Sequence, residues 1–424
     1  MKYLDWLLMS KEKSMVPELR FPEFEKEVPW VQKKLGDKDV SYLVTEKTNR
    51  KSLDLNNYIS TENMLPGYAG ICAASKLPST KKVTEFIEGD LLISNIRPYL
   101  KKVWRSNMIG GASNDILVFR SGSKVSSDFL EFLLKNDRFI KYVMQSAKGV
   151  KMPRGDKDSI QEYKVLIPSK SEQQKIADCL SSLDALIAAH RDKLDALRAH
   201  KKGLMQNLFP QEGETVPRYR FAGFEGAWEE KKLGEMTTKV GSGKTPKGGD
   251  KNYVSSGRPF VRSQNIGWGI LLLEDIAFIN EETHSTFLSS EIELNDVLLN
   301  ITGASIGRSV IANEKIVKGN VNQHVCIIRT KNALNPVFLN QYLISQYGQR
   351  QIDSFQAGGN RQGLNFSQIR SLVIPTPPTK KEQQKIADCL ASFDEVIVAQ
   401  EDRIAQLQEH KRGLMQGLFP KTNG

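Results

Sequence analysis

The chain has 424 residues, enough for two or three domains at roughly 100–200 residues each. Hydrophobic residues make up 39% and charged residues 26%, which fits folded domains with apolar cores. Lys and Arg total 60 against 49 Asp and Glu, a formal charge of +11, so an anionic partner is expected, either nucleic acid or an anionic membrane face. No window approaches about 18 uninterrupted apolar residues, which excludes a transmembrane helix. The opening MKYLDWLLMSKEK is too short and too charged for a signal peptide, and Met9 would serve equally well as a start. Cys72, Cys179, Cys326 and Cys389 form no C-x-x-C pair. Their spacing suits neither zinc nor a disulfide framework and points to a reducing cytoplasm.

Residues 1–15 read as an N-terminal extension, and a first α+β block follows at 16–170. It opens with VPELRFPEFE at Val16, then Trp30, then KKLG at Lys33–Gly36. Glu88–Trp104 and Ser113–Arg120 read as strands with turns between them. Ser127–Gln145 reads as a helix, from the spacing of Phe129, Phe132, Leu133, Ile140 and Val143. A glycine-containing basic loop, Lys148–Lys157, leads into a short strand ending at Ile167.

Residues 171–210 form a long helix in which Ile176, Leu180, Leu183, Ile187, His190, Leu194, Leu197, Lys201, Leu204 and Leu208 alternate in steps of four and three. That period of about 3.5 is a coiled-coil seam. Some 36 residues make a rod of roughly 50 Å. Ser171 is placed to cap its start and Pro210 to stop it.

A linker at 211–215 leads to a second α+β block at 216–379. It repeats the opening as VPRYRFAGFE at Val216, Trp228 and KKLG at Lys231–Gly234. Glu293–Val310 and Val321–Arg329 read as strands, Val337–Ile352 as a helix, Ala357–Gly363 as a loop and Leu372–Ile374 as a strand. A second long helix, 380–420, has Thr379 as its cap, and 421–424 is a tail. Glu172–Pro210 and Glu382–Pro420 lie 210 residues apart and match at 24 of 39 positions without a gap.

The chain is thus one unit written twice, which implies a pseudo-twofold axis. Each helix carries one apolar stripe, buried most simply against the other helix, antiparallel if the axis runs between them. His190 and its counterpart Gln400 put polar groups mid-seam, where such a pair fixes register. The helix ends carry more apolar residues than one seam needs: Leu204, Met205, Leu208, Phe209, and Leu414, Met415, Leu418, Phe419. They read as partner-docking surfaces, with packing inside the chain as the competing reading.

Basic and amide residues gather in the block loops. The candidate DNA contacts are Arg97, Tyr99, Lys101, Lys102, Lys148, Lys151 and Arg154 in the first block. In the second they are Lys244, Thr245, Lys247, Arg262, Gln264, Asn265, Arg308, Asn360 and Arg361. Lys and Arg supply sequence-blind phosphate affinity, whereas Arg can also read guanine and Asn or Gln adenine in the major groove.

Several catalytic patterns fail. Gly243-Lys244-Thr245 lacks the upstream glycine of a phosphate loop, since position 238 is Thr238. Gly303–Gly307 matches G-x-S-x-G, but the only later histidines are His324 and His410, in a strand and a long helix. The five histidines do not cluster, so no metal site is visible. No methyltransferase tetrapeptide and no Pro-Asp nuclease start occur.

The two copies of EQQKIADCL…HK[KR]GLMQ[NG]LFP resemble the central and C-terminal conserved regions of the specificity subunits of type I restriction–modification enzymes. VPELRFPEF and VPRYRFAGF with W…KKLG resemble the start of their target-recognition domains, and the resemblance spans nearly the whole chain. Asp296–Leu299 before Gly303–Arg308 is similar to a recurring element there. The first block departs from it, since Asp90–Ile93 runs into Ser94-Asn95-Ile96-Arg97-Pro98 with no glycine turn.

The resemblance implies a non-catalytic subunit whose two domains each read half of a split, asymmetric site on double-stranded DNA. The helices would set the gap and dock two methyltransferase subunits, with two restriction–translocase subunits completing the complex. It implies adenine-N6 methylation with S-adenosylmethionine, ATP and Mg in partner subunits, none in this chain, and no membrane. The competing reading is a basic nucleic-acid scaffold without sequence readout, and an unrecognised enzyme is a third.

Overall fold

The computed structural model describes residues 15–246, 248–356 and 363–420. Two compact units form: one from the chain up to Ala189 together with the segment from Ile404 on, the other from His190–Arg403. The long helices run unbroken over Lys170–Leu208 (α4) and Lys380–Leu418 (α9). The division therefore passes through both helices.

In the first unit, β1 (Val31–Lys34) pairs antiparallel with β10 (Lys164–Ile167), joining the two ends of the block. A four-stranded sheet has the order β2 (Ser41–Leu43), β9 (Ile116–Ser121), β6 (Leu91–Ser94), β7 (Val103–Arg105). A second sheet has the order β3 (Lys47–Asn49), β5 (Lys82–Phe86), β8 (Gly110–Ala112), β4 (Tyr58–Ile59). The expected strand Glu88–Trp104 is two strands, because Pro98–Leu100 makes a tight turn between β6 and β7. The expected helix Ser127–Gln145 is also two, α1 (Ser127–Leu134) and α2 (Asp137–Gln145). Asn136 divides them: its side chain accepts from Arg138 N at 3.0 Å and caps α2, which favours a fresh start over continuation. α3 (Lys157–Gln161) precedes β10.

The second unit repeats this plan. β11 (Glu229–Lys232) pairs with β19 (Val373–Thr376), and the main sheet has the order β12 (Thr237–Ser242), β18 (Val325–Thr330), β15 (Val297–Asn300), β16 (Ser309–Ile311). The second sheet differs, with three strands ordered β14 (Ala277–Ile279), β13 (Arg258–Val261), β17 (Asn320–Val321), followed in space by α5 (Glu281–Ser285) beside it through His284 and Asn320. The expected helix Val337–Ile352 divides at Ser345 into α6 (Pro336–Ile344) and α7 (Gln346–Ser354), Ser345 Oγ capping the second by accepting from Gly348 N at 3.3 Å. α8 (Phe366–Ser371) precedes β19.

The repeated sequence motifs are the joints between block and helix. Arg20 donates to both carboxylate oxygens of buried Glu172 at 2.9 and 2.8 Å, and Arg220 does the same to Glu382 at 2.8 and 2.9 Å. Gln173 accepts from Ser126 N at the start of α1, and Gln383 accepts from Asn335 N at the start of α6. Ser169, not Ser171, caps α4, accepting from Glu172 N at 3.4 Å, just as Thr379 caps α9. Ser169 is the residue 210 positions before Thr379.

Within each unit the helices run antiparallel. In the first, Leu414, Met415 and Leu418 of α9 pack near Ile176, Ala177 and Leu180 of α4, and Lys411 meets Asp184 at 2.5 Å. In the second, Lys201 meets Asp394 at 2.6 Å, and Gln400 donates to His190 Nδ1 at 2.7 Å and to its carbonyl at 2.8 Å. The mid-seam polar pair is thus a direct contact, with Gln400 buried.

The helix ends correct the docking expectation. Leu208 and Phe209 are buried in the second unit, where Phe209 lies 5.4 Å from Phe338 and 5.3 Å from Tyr342 between ring centroids. Leu418 and Phe419 are buried in the first, with Phe419 against Phe129 at 5.5 Å and Trp30 at 6.4 Å. Arg138 closes that slot by donating to the Phe419 and Pro420 carbonyls. Leu204, Met205, Leu414 and Met415 are half-buried against the same cores. These apolar residues complete the chain's own cores.

Candidate nucleic-acid interface

At one end of each main sheet three loops meet, and they meet by the same backbone hydrogen bonds in both units. The turn before β9 closes with Ile116 N donating to the Ser113 carbonyl, and the turn before β18 with Val325 N donating to Asn322. The loop after β6 joins that turn through Asn95 N to the Asp115 carbonyl, as Ile301 N joins the His324 carbonyl. The loop before α3 then adds Gly155 N to the Asn95 carbonyl, as Leu364 N adds to Ile301. Bridges Ile96–Arg154 and Thr302–Gly363 complete the match.

Side chains at this junction differ between the units. In the first, Asp115 holds Arg154 at 2.7 Å. In the second, the Thr302 hydroxyl and His324 Nδ1 lie 2.6 Å apart, so that histidine is engaged with the residue just before the G-x-S-x-G segment.

In the first unit the junction gathers candidates that are far apart in sequence. Arg97 N donates to the Pro153 carbonyl at 2.8 Å, and Lys148 and Arg154 pair across their own loop. Arg97, Tyr99, Lys148, Lys151 and Arg154 are all exposed there. The backbone N–H of Ser159, then the Lys148 ion pair at 3.1 Å and the backbone N–H of Asp158, hold the Asp156 carboxyl below the usual carboxylate range. Lys101 and Lys102 are drawn inward, Lys101 to Asp137 at 2.5 Å and Lys102 to the Thr61 carbonyl at 2.6 Å. A cleft of about 390 Å³ opens beside the junction, lined by Asn114, Lys47, Lys157 and Thr84 among others.

In the second unit Lys244 and Thr245 are exposed on the loop after β12, next to Gly243, whose N–H donates to the Asn322 carbonyl. Arg308 is half-buried at the end of the loop after β15. Arg262 is committed to Asp275 at 3.2 Å and lies 5.5 Å from the Tyr253 ring, and Gln264 also donates to Asp275. Asn265 is corrected outright. It is 1% exposed, its oxygen accepts from Arg262 N and its amide donates to the Leu272 carbonyl, so it ties the loop together and has no free edge. Lys247, Asn360 and Arg361 lie outside the described residues.

Sequence reading passed over Asn114 and Gln323. Both are exposed amides, each the second residue before a central strand and at the tip of the matching turn. Their signal was the alignment of SNDILVFR with NQHVCIIR, which share an arginine, Arg120 and Arg329, locked bidentately to Asp90 and Asp296.

No group of three or more potential metal-ligating side chains occurs among the described residues, and none of their helices is long and apolar enough to cross a membrane.

The fold and its doubled loop junction define a duplicated α+β protein in which one backbone design carries two different sets of side chains. The sequence profile of the type I restriction modification DNA specificity domain matches residues 22–199 and again 225–409, and the chain belongs to that family. Its members are non-catalytic subunits that confer recognition of DNA sequence. The chain is 24% identical over 370 residues, 84% of each chain, to the type I restriction enzyme MjaVIII specificity subunit of Methanocaldococcus jannaschii. It is 24% identical over 342 residues to the putative MjaX specificity subunit of the same organism, covering 78% of this chain and 77% of that one.

Among solved structures it is similar in fold to the type I S subunit from M. genitalium, with a TM-score of 0.62 and 15% identity over 96% of this chain and 100% of that one. A chain from a structural study of complex assembly and conformational transition in the type I restriction–modification system has a TM-score of 0.53 and 19% identity, covering 92% of this chain and 97% of that one.

Proposed function

We propose that each unit reads one half of a bipartite, asymmetric site on double-stranded DNA, and that α4 and α9 set the length of the unread spacer. The observation that carries this is the loop junction: one backbone frame occurs once per unit with different side chains on it. Two frames with one chemistry would suit a repeated sequence, whereas two chemistries suit two half-sites. Arg, Lys and amide side chains at each junction supply the phosphate and base-edge contacts that such reading requires.

The complex directed by this reading holds two adenine-N6 methyltransferase subunits and two restriction–translocase subunits. S-adenosylmethionine, ATP and Mg belong to those partners and none to this chain. Docking falls on the outer faces of the helices, where Leu186 and its counterpart Val396 remain exposed, because the helix-end residues are used inside the chain. The compartment is the cytoplasm.

The test is to express the chain with its cognate methyltransferase subunit in a methylation-free host and map N6-methyladenine by single-molecule sequencing. A split motif of constant gap, methylated once on each strand, is the expected result. Soluble expression of both proteins with no new methylation would refute the proposal.

A further inference from the structure

The loops after β6 and β15 share an unusual backbone. Arg97 has φ 51° and Lys101 φ 54°, flanking the turn Pro98–Leu100. In the second unit Gly303, which opens the turn Gly303–Ser305, has φ 70°, and Gly307, just past that turn, has φ 87°. The two left-handed positions stand four apart in each loop and 206 apart between the loops. The first block therefore does make the turn that its sequence lacks glycine for, which corrects the departure noted above.

Glycine adopts such angles at no steric cost, whereas a residue with a Cβ is strained there. The first unit holds both side-chain-bearing residues in place with hydrogen bonds. Leu100 N donates to the Arg97 carbonyl and Lys101 N to the Pro98 carbonyl, both at 2.9 Å. From the neighbouring turn, Gly67 N donates to Leu100 and Tyr68 N to Lys101, also at 2.9 Å. Strain kept in this way at a surface marks a side chain with a task. The Lys101 side chain has a visible one, the ion pair with Asp137. Arg97 is exposed, and its guanidinium has no partner among the described residues.

We propose that Arg97 is a specificity-determining residue that reads a guanine in the first unit's half-site, its planar fork donating to O6 and N7 in the major groove. The inference rests on the reading given under Proposed function. A base reader needs a fixed origin, and the anchored turn provides one; a phosphate contact tolerates a flexible stem and would not need the strained position.

The test compares wild-type chain, Arg97→Gly and Arg97→Lys, each with the methyltransferase subunit, by methylome mapping and by competition binding at several salt concentrations. Arg97→Gly installs the residue that the second unit carries at the equivalent place, so thermal stability is expected to be no lower. Its methylated motif should become degenerate at one G·C pair of one half-site, with discrimination there falling about tenfold or more. Arg97→Lys should keep the salt slope but lose the same discrimination. A motif unchanged in both variants overturns the inference, as does a first half-site without a G·C pair. So does a uniform loss of affinity with the salt slope reduced by about one and the motif intact, which would mark a phosphate contact. A wild-type chain that directs no split motif would instead refute the underlying reading.

Discussion

Replacing Phe209 by Ala separates a core residue from a docking residue. Phe209 is fully buried, and its ring lies against Phe338 and Tyr342 in the core that also holds Trp228. Truncating a buried Phe to Ala costs about 3–5 kcal/mol through lost contacts and the cavity left behind. For a unit of roughly 200 residues each kcal/mol moves the melting temperature by about 2–4 °C, so the shift expected is roughly 6–20 °C downward. The assay is calorimetry on the isolated chain with no partner present. Phe419→Ala, in the matching slot beside Trp30, should lower the transition of the first unit in the same way. An unmoved melt combined with lost methyltransferase binding would refute the packing argument and restore the helix ends as a docking surface.

Three further outcomes follow from particular side chains. Burial alone would raise the Glu131 carboxyl, but ion pairs to Lys135 at 2.6 Å and Arg105 at 2.9 Å hold it below the ordinary range. A depressed folded-state value contributes stability above the unfolded value near 4.3 that is lost as pH falls through the folded value, so urea midpoints should drop below about pH 4.5 and Glu131→Gln should flatten that limb. Burial pushes the Cys326 thiol up to about 12, whereas Cys72 is exposed, so a thiol reagent at pH 8 should label Cys72 rapidly and Cys326 only on unfolding. Asn265→Ala should lower the melting temperature and leave the methylated motif unchanged, and a motif altered at one position would show that Asn265 reads DNA after all.

What was legible in the sequence depended on whether a pattern was local. The two long helices showed themselves because a heptad seam continues over the whole stretch and is written twice. β1 and β11 were invisible: VQKK and EEKK have no apolar alternation, and they are strands only because β10 and β19 offer them a partner about 130 or more positions away. Asn136 and Ser345 interrupt helices whose apolar spacing runs straight through them, since a capping side chain acts on the backbone and leaves no trace in hydrophobic period. Asn265 looked like a reader because a loop amide has the same composition signal whether it faces solvent or its own loop.

The duplication offers a sharper instrument than composition, because it compares two solutions to one folding problem. Arg20 and Arg220, Glu172 and Glu382, and Trp30 and Trp228 recur in both copies, and the structure finds each of them buried or paired at a joint. Arg97 opposite Gly303, Lys101 opposite Gly307 and Arg154 opposite Gly363 occupy one backbone frame with unlike side chains. A shared residue is explained by the shared fold, so it says little about which DNA is read. Lys101 is accounted for by its ion pair with Asp137, whereas Arg97, held in a glycine's conformation where the twin shows that glycine suffices, is not explained by the fold. Recurrence alone is not decisive, since a docking partner common to both halves would also preserve Leu-Phe-Pro at both helix ends. Burial settles that case, because an anchor for another subunit has to be reachable and Phe209 and Phe419 are not.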